Sequence, residues 1–267
     1  MGNRLCLRGR WCGVFILATL LTLMSCSARE PPQSSGLAVI KDCPARFIED
    51  GGLAGRWPAI PVPVALKEGD FDAEESVEIM EAMDVWNSFA LQSWGKKVFD
   101  YGIPGAIRLN DASRPAEVCG RPIVQGEDFA DVVVIYKRTK WPHAEGAVAL
   151  TSYCPAKRRP LPSYYAAIIE INFEHFFAFG KRQPHLASII LHELGHLIGL
   201  GHSCDSPDRR DNRPCPESDL PQAHQGSVMF SEFRFDRGGF GEIRMKLGSD
   251  DQSRANCLYS SLSPLLH

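Results

Sequence analysis

Apolar positions recur along this chain with changing rhythms, and each rhythm predicts an element. Pro58 to Leu66 sets apolar residues among prolines, which suits an edge strand because proline cannot donate to a ladder. Phe71 to Trp94 repeats Val77, Met80, Met83, Val85, Trp86 and Phe89 at helical spacing. That predicts a long amphipathic helix, capped at Asp72 or beside it. Asp131 to Tyr136 is a short continuous apolar run, typical of a strand covered on both faces. Gly146 to Tyr153 and Ala166 to Phe173 predict two further strands. From Pro184 the period is helical again through Leu186, Ile189, Ile190, Leu194 and Leu197, with Pro184 suited to the first turn. Gly199 and Gly201 end this second helix. An irregular stretch rich in Pro, Asp and Gly follows, then a last short helix near Asp250 to Ser260. Strand, helix, several strands, helix, loops and helix together predict one α/β domain with a mixed sheet.

The N-terminus follows a different logic. Arg4, Arg8 and Arg10 precede an apolar run from Val14 to Met24, which predicts a signal peptide over residues 1–25. The run is too short to cross a bilayer as a helix, which takes about 20 residues. It ends in Leu23-Met24-Ser25-Cys26, which resembles a bacterial lipobox, so Cys26 is expected to be acylated and to anchor the mature protein. Met24 stands where a small residue is usual, and ordinary cleavage with secretion is the alternative. Ser27 to Gly36 is small, polar and proline-bearing and cannot bury enough apolar area to order itself. The expected organisation is therefore a signal at 1–25, an anchor and tether at 26–54, and one folded domain at 55–267.

Composition narrows the picture further. With 44% hydrophobic and 23% charged residues, the chain of 267 residues is a folded globular protein. No acid lies in the first 25 residues, so their removal leaves 26 basic against 32 acidic side chains. A mildly acidic body without a basic stripe argues against a nucleic-acid partner. Beyond the signal and Cys26, six cysteines remain: Cys43, Cys119, Cys154, Cys204, Cys215 and Cys257. An even number in an exported chain predicts disulfides. Cys204 and Cys215 bracket a short polar loop and are the candidate pair, worth roughly 3 kcal/mol in the chain-entropy picture. No C-x-x-C spacing occurs among the six, which argues against a cysteine zinc ribbon.

The second helix ends in HELGHLIGLGH. His192 and His196 are four residues apart, so their rings lie on one helical face about a turn from each other. Both can aim a nitrogen at one point about 2.0–2.1 Å away, the Zn–N bond length. Gly199 and Gly201 allow a sharp turn that returns His202 as a third ligand. Three nitrogens leave one open tetrahedral position, the mark of a catalytic zinc site. Glu193 lies beside the first ligand, displaced around the helix, where it can face that open position. Five fixed residue types coincide by chance at a given start on the order of once in 10⁷ tries. His143, His175, His185 and His224 lack ligand spacing, and Lys157-Arg158-Arg159 reads as a solvated loop.

The string H-E-x-x-H-x-x-G-x-x-H resembles that of the metzincin clan of zinc metallopeptidases. Ser227-Val228-Met229-Phe230 is similar to the methionine turn of that clan, with Met229 as an apolar floor under the metal. The helix bearing Trp86, the strand ending in Glu170-Ile171-Asn172 and the closing Asn256-Cys257-Leu258-Tyr259 resemble a matrixin-type catalytic domain over about residues 55 to 262. The resemblance implies a twisted mixed sheet with an antiparallel edge strand, two long helices, and an irregular C-terminal subdomain holding the Met-turn and a final helix. It implies one Zn²⁺ on His192, His196 and His202, and Glu193 as general base hydrolysing internal peptide bonds of extracytoplasmic proteins. An extended polypeptide would lie along Gly146 to Tyr153, with a specificity pocket walled by Gly226 to Phe235.

Departures from the resemblance are specific. Ser203 stands where matrixins place Asp and astacins Glu, and Ser231 where astacins supply a tyrosine. Cys119-Gly120-Arg121-Pro122 is similar to the matrixin cysteine switch but lies within the domain, which favours a disulfide role. The resemblance leaves room for Ca²⁺, common in the family, but no compact acidic loop gives it strong support. A monomer is expected. The competing reading is an inactive binding or adhesion module with structural zinc, against which an intact Glu193 argues; hydrolysis of another amide is a third.

Overall fold

A computed structural model describes residues 53–111, 133–155, 162–178, 180–204 and 225–260. The signal, Cys26, Cys215, His224 and Cys119 to Pro122 lie outside the described residues.

The apolar strands stack side by side. β1 (Val62–Lys67) pairs in parallel with β2 (Phe99–Asp100), β3 (Arg108–Asn110) and β4 (Val133–Arg138). β4 pairs in parallel with β6 (Tyr164–Asn172), and β5 (Ala149–Pro155) closes the sheet antiparallel to β6. The path is β2-β1-β4-β6-β5, with β3 beside β1. This is a mixed sheet with one antiparallel edge, as expected. One expectation fails: β1 is an inner strand, not an edge. Val62, Val64, Ala65 and Leu66 are buried, and only Pro63 of the prolines in that segment falls within the strand, beside the short β2.

α1 (Ala73–Trp94) starts where the sequence supplies a capping box. Asp72 Oδ1 accepts from the Glu75 amide at 2.9 Å, and Glu75 Oε2 accepts from the Asp72 amide at 3.0 Å. It ends at Gly95 in the left-handed region (φ 70°), the usual glycine C-cap. The buried face is Ile79, Ala82, Met83, Trp86, Ala90 and Trp94. Val77, placed on the apolar face by its spacing, is 48% exposed. α2 (Leu186–Leu197) is almost wholly buried, and His185, one residue after Pro184, is its N-cap. Trp86 Nε1 donates to the Leu191 carbonyl at 3.0 Å, fastening α1 to α2. α3 (Ser249–Tyr259) returns to the same core, where Tyr259 donates to the Ile198 carbonyl at 2.9 Å. One apolar cluster joins the sheet and all three helices, so the end of α2 is packed into the core on the side away from the cleft.

Candidate metal centre

The turn after α2 depends on one glycine. Gly199 has φ 104°, and a β-carbon there would overlap the Gly55 carbonyl oxygen. Glycine alone permits both the dihedral and the approach. The Ala54 amide donates to the Gly199 carbonyl at 2.8 Å, and beyond it the chain brings His202 back over α2. One ring nitrogen each from His192, His196 and His202 lies within 4.8 Å of the other two.

The donor chemistry fits a divalent cation. His192 Nδ1 donates to the Val228 carbonyl at 2.7 Å, and His196 Nδ1 donates to the Leu200 carbonyl at 2.8 Å. A carbonyl only accepts, so each Nδ1 carries the proton and each Nε2 of the neutral ring presents a lone pair. Burial, with His196 and His202 adding to it, holds the His192 pKa well below the usual histidine range, so this ring is neutral. His196 Nε2 and His202 Nε2 are 3.1 Å apart. Two nitrogens on one tetrahedral zinc would stand about 3.3 Å apart, from the bond length alone.

Glu193 faces the same cleft and is 5% exposed. Burial pushes its carboxyl up to about 7, and the Thr151 hydroxyl pulls the other way. That hydroxyl donates to Glu193 Oε2 at 2.6 Å. The cleft, about 680 Å³, runs between Gly146 to Thr151 and a lower wall containing Phe233 and Phe235. Phe233 stands edge-on to the His192 ring at 5.7 Å. Arg182 lies over Phe235 at 5.0 Å.

The Met-turn lies under the histidines. A β-carbon at Gly195 would overlap the Met229 sulfur, so this glycine of the motif admits the methionine against α2. Asp251 of α3 holds the turn: it accepts from the Ser227 hydroxyl, from the Val228 amide at 2.9 Å and from the Gly248 amide at 2.8 Å. The Val228 carbonyl is the acceptor for His192, so α3 orients a ring it never touches. Arg254 extends the bracing, with Nη1 donating to the Gly201 carbonyl at 2.6 Å and Nη2 paired with Asp250 at 2.7 Å.

His192, Glu193, His196, His202 and Met229 therefore come together where the motif places them. His143 and His185 do not join them: His143 meets Glu170 at 3.0 Å, and His185 caps α2. Cys204 is buried and disulfide-bonded, as are Cys154 and Cys257. Pairing of Cys204 with Cys215 concerns a residue outside the described ones. Thr151, Phe233, Arg244, Asp251 and Arg254 were not singled out from sequence. Only Thr151 left a local signal there, a polar β-branched residue among small and apolar neighbours in a strand.

No protein-family model matches this chain, and no curated protein matches it. Among solved structures it is similar to high choriolytic enzyme 1, a hatching-enzyme zinc protease of the medaka fish Oryzias latipes. The two share 14% identity with a TM-score of 0.35, over 74% of this chain and 88% of the other.

Proposed function

We propose that this chain is a zinc-dependent endopeptidase acting on extended polypeptides. The observation that supports it is the convergence of three histidine nitrogens beside a buried carboxylate, in a cleft beneath the sheet's edge strand. Zinc held by His192, His196 and His202 would polarise the scissile carbonyl and acidify the attacking water. Glu193 takes the proton of that water and passes it to the leaving amine, base first and acid afterwards. Among the described residues β5 pairs with β6 alone, so its other edge would offer amides and carbonyls to an extended substrate. Phe233 and Phe235 form the apolar side of the pocket, and Arg182 adds a cation beside Phe235. Purified protein is expected to hold one zinc and to cleave unfolded casein. Glu193→Ala is expected to keep the metal and lose about 10²–10⁴-fold in turnover. Equal cleavage by both forms would refute the mechanism.

We propose as well that the domain is exported and tethered through an acylated Cys26. Cys26→Ser should then move the protein from the membrane to the soluble fraction, and an unchanged distribution refutes the anchor.

A further inference from the structure

We propose that Thr151 is a positioning residue for Glu193, so that the strand offered to substrate also aims the general base. The inference rests on the peptidase reading above. Thr151 lies mid-strand in β5, opposite Ile169 of β6. Its hydroxyl donates to Glu193 Oε2 at 2.6 Å and lies 3.1 Å from the backbone carbonyl oxygen of the same residue. Among the described residues no other side chain reaches that carboxylate.

A glutamate has three side-chain torsions, and a carboxylate without a partner can turn among several rotamers. Threonine is β-branched and stiff at χ1, and here it stands on a strand whose pairing fixes the backbone. It is therefore a rigid donor gripping a flexible acceptor. The hydroxyl carries one proton. Spent on Oε2, it leaves Oε1 as the oxygen without a protein donor among the described residues, open to exchange a proton with water in the cleft. Because β5 has no second partner strand among the described residues, a substrate strand pairing along its other edge would press on the residue that holds the base. A merely structural threonine would satisfy a buried acid and affect stability alone; a positioning threonine affects turnover.

The test uses the full chain with Thr151→Val, which keeps the shape and removes the hydroxyl, and Thr151→Ser, which restores it. Zinc content is measured by mass, and kcat and KM on a fluorogenic peptide chosen from a peptide-library digest. Thr151→Val is expected to keep its zinc and hold KM within about twofold while kcat falls about 10- to 100-fold. Thr151→Ser is expected to return to within about threefold of the parent. Thermal unfolding of metal-stripped protein provides a readout without turnover. Thr151→Val should lower Tm by about 4 °C with Glu193 present and by less than about 1 °C beside Glu193→Ala. An unchanged kcat in Thr151→Val, loss of its zinc, or equal behaviour of the Val and Ser forms would overturn the positioning role. Additive Tm shifts would overturn the contact. A parent protein that cleaves nothing while the Tm coupling persists would sink the peptidase reading and leave the contact standing.

Discussion

The two walls of the cleft are built by opposite means. The upper wall is β5, held to β6 by an unbroken antiparallel register from Ala149–Ile171 to Cys154–Ala166. The lower wall, Phe230 to Leu247, contains no continuous strand; isolated bridges between Phe235 and Gly241 and between Gln183 and Phe240 tie its backbone, and side chains brace the rest. Asp236 Oδ1 accepts from the amides of Gly238 and Phe240 at 2.8 and 2.9 Å. Arg244 Nη1 donates to the Phe230 carbonyl at 3.0 Å, its guanidinium lies over Phe233 at 4.8 Å, and its amide donates to Ser188 of α2 at 2.7 Å. A strand fixes backbone spacing whatever its side chains are, which suits main-chain recognition of many sequences. A wall braced by side chains has a shape that changes with single residues, which suits specificity. Mutations should therefore act differently on the two sides.

The largest effect is expected at the clamp beneath the lower wall. Asp251 is fully buried and accepts from three backbone amides, those of Val228, Met229 and Gly248, and from one hydroxyl. Asp251→Ala leaves those donors buried without this acceptor and removes the acid 3.7 Å from Arg254. Stability should fall by about 3–5 kcal/mol in a denaturant titration. Zinc affinity should weaken about 10- to 100-fold, because the Val228 carbonyl that orients His192 shifts with the turn. Unchanged zinc affinity in a folded variant would show that α3 supports the fold without orienting the ligand.

That clamp also shows where sequence reading ran out. The motif residues are legible because helical spacing and one turn bring His192, His196 and His202 together within eleven positions. A continuous apolar run likewise located β4, the segments Gly146 to Tyr153 and Ala166 to Phe173 located β5 and β6, and helical spacing located α1 and α2. Asp251 and Arg254 act across the fold, 24 residues from Ser227 and 53 from Gly201. An acid in the first turn of a helix reads from sequence only as a favourable charge at the dipole. The prolines of residues 58–66 suggest an edge with a broken ladder, but most of them precede β1, which lies inside the sheet. Val77 was misplaced for a related reason: spacing gives the period of a face, and tertiary packing against α2 sets which way it turns.

Arg244 gives a smaller, sharper test of the lower wall. Arg244→Ala removes the hydrogen bonds to the Phe230 and Glu232 carbonyls, the ion pair with Glu242 and the cation above Phe233. It should cost about 1–2 kcal/mol of stability. KM for the best peptide should rise several-fold, with little change in kcat, and cleavage preference in a peptide-library digest should broaden. A narrower preference, or a kcat loss with KM unchanged, would mean that the wall shapes the reacting centre more than the pocket.

The smallest effect is expected on the upper wall. Leu150 follows the strand alternation to the face opposite Thr151, so its side chain points away from Glu193. Leu150→Ala should cost about 1 kcal/mol for the partly buried surface it removes. Its backbone amide and carbonyl are unaltered, so KM and the cleavage pattern should stay within about twofold of the parent. If Leu150→Ala changed peptide preference as much as Arg244→Ala, the upper wall would be reading side chains, and the division between the two walls would be wrong.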